Sequence, residues 1–164
     1  MGETKFIVEF QNSKSKDDRS NEELILRFFA LDDNLDYYNN KLSELLDDYM
    51  SENQNIELED ADLLKNKFLE TLGKCLRTFD RPFVDTTQDK PRQSVAYYDL
   101  IMHSFKDLSD DFINDNIEQL NEKFKELCKL EEFQKTLAGG LQQKSSILRR
   151  RKLWRKKIEE INEN

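Results

Sequence analysis

The sequence is poor in residues that break a chain: four Gly and two Pro among 164 residues. So few breaks cannot supply the many tight turns of an all-β fold, and helices joined by polar loops are the alternative. Histidine is scarcer still, with His103 alone. One imidazole cannot build a His-based zinc site or the paired-His centre of a metal-dependent His-Asn-His nuclease. Phosphate loops are missing too, because no Walker loop or dinucleotide fingerprint occurs. Gly139-Gly140 lacks the following Lys-Ser/Thr and reads as a hinge. No apolar run approaches the ~20 residues needed to span a bilayer. Met1 to Phe10 lacks the basic start and long apolar centre of a signal peptide. Two cysteines, Cys75 and Cys128, each fall on an apolar helical face and read as reduced core thiols rather than a disulfide. The expectation is a cytoplasmic chain with no membrane segment, no cofactor and no enzymatic activity of its own.

What is present is a balance of 37% hydrophobic and 37% charged residues, enough for a modest core under a charged surface. Carboxylates are abundant: Asp47-Asp48, Glu57, Glu59-Asp60, Asp62 and Asp110-Asp111. Adjacency in sequence does not make them converge on a metal, and none follows the calcium-loop spacing, so they read as solvated helix faces and caps. A Cys–His nucleophile pair is formally possible with His103 but has no local signature.

Residues 1–20 read as a flexible N-terminal arm, in which Lys5 to Phe10 can form a short strand or docking segment. Residues 21–164 read as a single helical domain. Ser20 or Asn21 is expected to cap the first helix, followed by Glu22 and Glu23. Its stretch Leu24 to Leu31 is apolar on nearly every side, which marks it as the central buried helix. Arg27 interrupts it one turn after Glu23, so the two can pair. Asp32 to Asn40 reads as a loop. Leu42, Leu45, Leu46, Tyr49 and Met50 define a second helix. A third runs from about Leu58 to Phe79, with apolar residues advancing by three or four. Residues 80–92 hold Pro82 and Pro91 and form the longest interior loop. A fourth helix carries Tyr98, Ile101, Met102, Phe105 and Leu108, and a fifth runs from Ile113 to Cys128. Ser145 or Ser146 is expected to cap a terminal helix over 145–162. The architecture predicted is all-α, a compact bundle of about six helices with a basic C-terminal helix.

That terminal helix holds the main electrostatic asymmetry. After Gly140 there are eight basic and three acidic residues, a surplus of five, while the remainder has 18 basic against 31 acidic, a deficit of 13. Seven of the nine residues from Arg149 to Lys157 are basic, and they surround Trp154. Neutralising phosphates with such charges releases counterions, so Arg149, Arg150, Arg155, Lys156 and Lys157 are candidate nucleic-acid contacts. The competing readings are a basic helix docked on the acidic body and an unoccupied solvated tail. Ile147, Trp154, Ile158 and Ile161 share one stripe with Arg151. Arg151 should therefore face the body, leaving Arg150, Arg155 and Lys157 freer to reach solvent.

The segment Asn21-Glu-Glu-Leu-Ile-Leu-Arg-Phe-Phe-Ala-Leu31, with Tyr38, Leu42 and Leu45-Leu46-Asp-Asp-Tyr-Met50, resembles a known pattern. It is similar to the helical region behind the ParB/sulfiredoxin-like domain of a large bacterial domain-of-unknown-function family that includes the GmrSD modification-dependent restriction nucleases. Arg77-Thr-Phe79 and Val95-Ala-Tyr-Tyr-Asp-Leu-Ile101 resemble its downstream helices. The resemblance implies a setting in bacterial phage defence by DNA restriction. Its expected partners are an NTP-binding N-terminal domain of the same parent or another protein, and DNA through the C-terminal helix. Glu23, Arg27, Phe28, Phe29 and Trp154 would carry the structural motif. The Asp-Gly-Gln-Gln-Arg motif and the His-rich nuclease domain of that family do not occur here, so no catalytic residue is implied.

Overall fold

A computed structural model describes residues 19–162, which are α-helical apart from the connecting loops, one 3-10 turn and one isolated bridge. The all-α expectation holds. Most of the predicted arm, including Lys5 to Phe10, lies outside the described residues. Residue contacts divide the chain into two compact units, Met1–Gly73 and Lys74–Asn164.

In the first unit, α1 spans Arg19–Asp33. It starts before Ser20, so Ser20 and Asn21 lie within its first turn rather than capping it from outside. Leu24 and Phe28 to Leu31 are buried, as expected for a core helix, whereas Ile25 remains 41% exposed. The expected loop after it is shorter than predicted and partly ordered as a 3-10 turn, Leu35–Tyr37, which buries Leu35. Asn40 takes a left-handed φ of 72°, which Asn tolerates better than most residues, and its neighbour Asn39 accepts a bond from the Lys41 amide at 3.0 Å. That local turn starts α2, Leu42–Glu52, which packs on α1 through Leu45 and Tyr49. Met50 points to solvent instead of joining that face. Ring contacts join the layers: Phe28 meets Phe68 edge-on at 5.6 Å, and Phe29 stacks on Tyr49 at 6.4 Å. The next helix, α3, spans Leu58–Thr78, close to its predicted extent. The boundary between the units falls inside it.

The second unit is built around α4, Val95–Phe105, which buries eight residues and is more enclosed than α1. Ser94 caps it by accepting from the Ala96 amide at 3.2 Å. Phe105 ends the helix, leaving Leu108 in the following turn. The loop before it is a packed structure, not a polar connection. Phe83 is fully buried against the Tyr98 ring, 5.1 Å away, although its φ of 62° is unusual for a bulky side chain. Asp85 is buried beside it and accepts from the Thr87 amide at 2.8 Å, the Thr87 hydroxyl at 2.5 Å and the Gln88 amide at 3.0 Å. A single antiparallel bridge, Val84 to Gln93, closes the loop.

The predicted fifth helix is two helices, α5 (Asp110–Asp115) and α6 (Ile117–Lys129). They part at Asn116, whose φ of −125° and ψ of 21° leave the helical region while its side chain bonds the Phe112 carbonyl. Such local bonding is why Asn interrupts helices. An unpredicted helix, α7 (Glu131–Ala138), follows extended Leu130, and Glu131 and Glu132 favour its positive N-terminal end. Gly140, at φ 63°, makes the left-handed turn into α8, Lys144–Asn162. Because α8 begins at Lys144, Ser145 and Ser146 sit in its first turn rather than at its cap. Cys75 and Cys128 are free, buried thiols, as the apolar spacing required.

Candidate functional site

The terminal helix α8 packs on α4, α6 and α7. Its inward stripe is Ile147, Arg150, Trp154, Ile158 and Ile161, all buried. The Trp154 ring meets Phe124 edge-on at 5.7 Å, and its indole N–H donates to the Ser104 hydroxyl at 2.9 Å. A buried indole is thereby satisfied.

Arg150 corrects the sequence reading. It is 2% exposed rather than solvent-directed. One guanidinium nitrogen donates to the Thr136 carbonyl at 3.0 Å and the other to the Leu141 carbonyl at 2.8 Å. The Gly139-Gly140 break ends α7, and helix ends leave carbonyls without intrahelical donors. Arg150 serves the backbone on both sides of that break. Arg151, expected to face the body, is only half-buried.

Two more candidates are engaged by carboxylates. Arg149 pairs with Glu132 of α7. Lys157, also expected to reach solvent, is largely covered. It bonds Glu126 of α6 at 2.8 Å and Glu160 at 3.2 Å. Lys123 bonds the same two glutamates, at 3.3 Å and 2.8 Å, and completes a ring of alternating charge between α6 and α8. Hydrogen bonds from the lysines, Lys157 first for Glu126 and Lys123 first for Glu160, hold both carboxyls below their ordinary value. The same bonds raise both lysines. Arg155 and Lys156 are exposed, as is Lys152 between them and the N-terminal turns.

A groove of about 190 Å³ opens between α4 and α8. Leu100, Leu108, Trp154 and Ile158 give it an apolar floor, and its rim mixes His103, Asp107, Arg151, Arg155 and Glu159. His103 is thus a half-buried boundary residue. Among the described residues, no group of three or more His, Cys, Asp or Glu side chains is arranged to hold a metal ion. No helix among them is long and apolar enough to cross a membrane.

No protein-family model, curated protein or solved structure matches the chain.

The motif that carries the sequence resemblance is structural in this fold. Arg27 is 1% exposed and lies 3.8 Å from Glu23, the expected partner one turn earlier. Phe28 and Phe29 are core residues whose rings meet at 4.8 Å. None of the three is available to a ligand at the surface. Sequence reasoning missed Ser104 as the partner of Trp154 and missed the buried Asp85. Nothing in local spacing announces the first, whereas the Asp85-Thr86-Thr87 order is a recognisable Asx-turn signal.

Proposed function

We propose that this chain is a non-catalytic helical module that acts by packing against another protein domain. The observation that carries the reading is the commitment of the basic helix to its own fold. Arg149, Arg150 and Lys157, three of its five candidate phosphate contacts, are held by Glu132, by backbone carbonyls and by Glu126. The remainder of the chain carries an acidic surplus, which repels an extended polyphosphate. The setting proposed for the module is a bacterial restriction or phage-defence protein, in which it packs on an NTP-binding domain. That setting rests on the resemblance around Leu26-Arg27-Phe28-Phe29.

A second reading, DNA contact through α8, is favoured by Lys152, Arg155 and Lys156. These exposed cations have no partner among the described residues. A mobility-shift titration of labelled duplex at low and high salt separates the two. The packing reading expects no retardation at about 50 mM salt. Retardation that weakens steeply with salt and disappears in the Lys152→Glu/Arg155→Glu/Lys156→Glu variant would overturn it in favour of DNA contact.

A further inference from the structure

The groove between α4 and α8 is smaller than the ~300–1,000 Å³ typical of small-molecule sites. Its size and apolar floor suit one aliphatic side chain from a macromolecular partner. Lys152, Arg155 and Lys156 lie on the exposed side of α8, and Arg155 also lines the groove. An occupant therefore needs an apolar knob beside carboxylates. The start of α3 has that composition. Leu58 is 86% exposed, and Glu57, Glu59, Asp60 and Asp62 surround it in sequence with no intervening cation. These carboxylates have no side-chain partner among the described residues. Among the described residues nothing buries any residue from 58 to 67, so this half of the helix is accessible.

We propose that a second copy of this chain docks here, Leu58 entering the groove and its neighbouring carboxylates meeting Lys152, Arg155 and Lys156. Glu159, one turn beyond Arg155 on the rim, repels carboxylates and directs them toward the cationic end. The two surfaces are different patches, so the contact is heterologous: each copy offers one knob and one groove, and addition continues into rings or short chains. The contact is small, which makes the association weak. Because the pairing charges are exposed, added salt weakens it further. This goes beyond the packing reading by naming a partner, and the two fail separately. A monomeric chain would leave packing on a different domain intact, whereas salt-sensitive DNA retardation would overturn that reading without deciding self-association, which sedimentation reads in the absence of DNA.

Sedimentation of the whole chain tests the inference. At low salt, the mass should rise above the 19.6 kDa of one copy as concentration increases from about 10 µM to about 1 mM. Leu58→Asp, or Lys152→Glu/Arg155→Glu/Lys156→Glu, should weaken association about tenfold or more, with circular dichroism confirming the fold. Glu59→Lys/Asp60→Lys/Asp62→Lys should do the same alone. Mixed with the triple-glutamate variant, it should restore association, because each partner then meets a groove of opposite charge. A chain that stays at 19.6 kDa throughout, or variants that associate like the parent, would overturn the proposal.

Discussion

Arg150 donates to the carbonyls of Thr136 and Leu141, on opposite sides of the Gly139-Gly140 turn, and so ties the end of α7 to α8. Replacing it with Met keeps most of the volume and leaves two carbonyls without this donor. A buried acceptor left unsatisfied costs about 1–3 kcal/mol, so Arg150→Met should destabilise the fold by about 2–4 kcal/mol in a urea titration. Arg150→Lys should recover only part of that, because a single ammonium does not reproduce the forked donor. Unchanged stability in Arg150→Met would mean that the buried guanidinium is not structural.

The ring formed by Lys123, Glu126, Lys157 and Glu160 predicts a pH window. Both carboxyls are held below their ordinary 4.5, so their contribution is present above that value and is lost as pH falls through the lower folded values. Both ammonium groups are held above their ordinary 10.5, so their contribution is complete below that value and is lost as pH rises through the higher folded values. These groups are partly exposed, so the effect is modest and screened by salt. Thermal melts from pH 7 down to pH 3 should show a smaller loss for Glu126→Gln/Glu160→Gln than for the parent. Equal losses would remove the ring from the acid response.

Asp85 anchors the loop that delivers Phe83 and Val84 to the core. Its carboxylate takes three hydrogen bonds from Thr87 and Gln88 while the residue itself is 2% exposed. It also lies near Cys128, whose thiol is pushed up mainly by burial and further by the charge of Asp85. Asp85→Ala should cost about 2–3 kcal/mol, with Asp85→Asn costing less because one amide oxygen can still accept from Thr87. Hydrogen exchange should speed up first at the Thr87 amide. An unaltered exchange rate there would mean that the loop is held without the carboxylate.

The helices legible in the sequence are those whose apolar stripe begins and ends with the helix itself. For α3, the steps Ala61, Leu64, Phe68, Leu72 and Cys75 gave bounds close to Leu58–Thr78. At Asn116 the stripe continues from Ile113 to Ile117 across a backbone break, so periodicity sees one helix where dihedral angles make two. In α8, both Arg150 and Arg151 fit between Ile147 and Trp154 at helical spacing, because steps of three then four and of four then three are both allowed. The choice was made by the carbonyls of Thr136 and Leu141, which no pattern within α8 contains. The same limit applies to the groove: His103 and Trp154 stand 51 positions apart in the chain and line one groove only after α8 packs on α4.

Trp154 offers a direct reading of that packing, since it is the chain's one tryptophan and its indole bonds Ser104. Buried at 1% exposure, it should emit at short wavelength in the native chain and shift to the red on unfolding. Ser104→Ala removes the acceptor and leaves the indole N–H without it, at a cost of about 1–3 kcal/mol. Trp154→Phe removes donor and ring area together, so its cost combines lost packing with a hydroxyl that has lost its donor. Adding Ser104→Ala to Trp154→Phe should then cost less than Ser104→Ala alone, because no indole remains to be orphaned. Strict additivity of the two substitutions in urea titrations would mean that the 2.9 Å contact contributes nothing to holding α8 on α4.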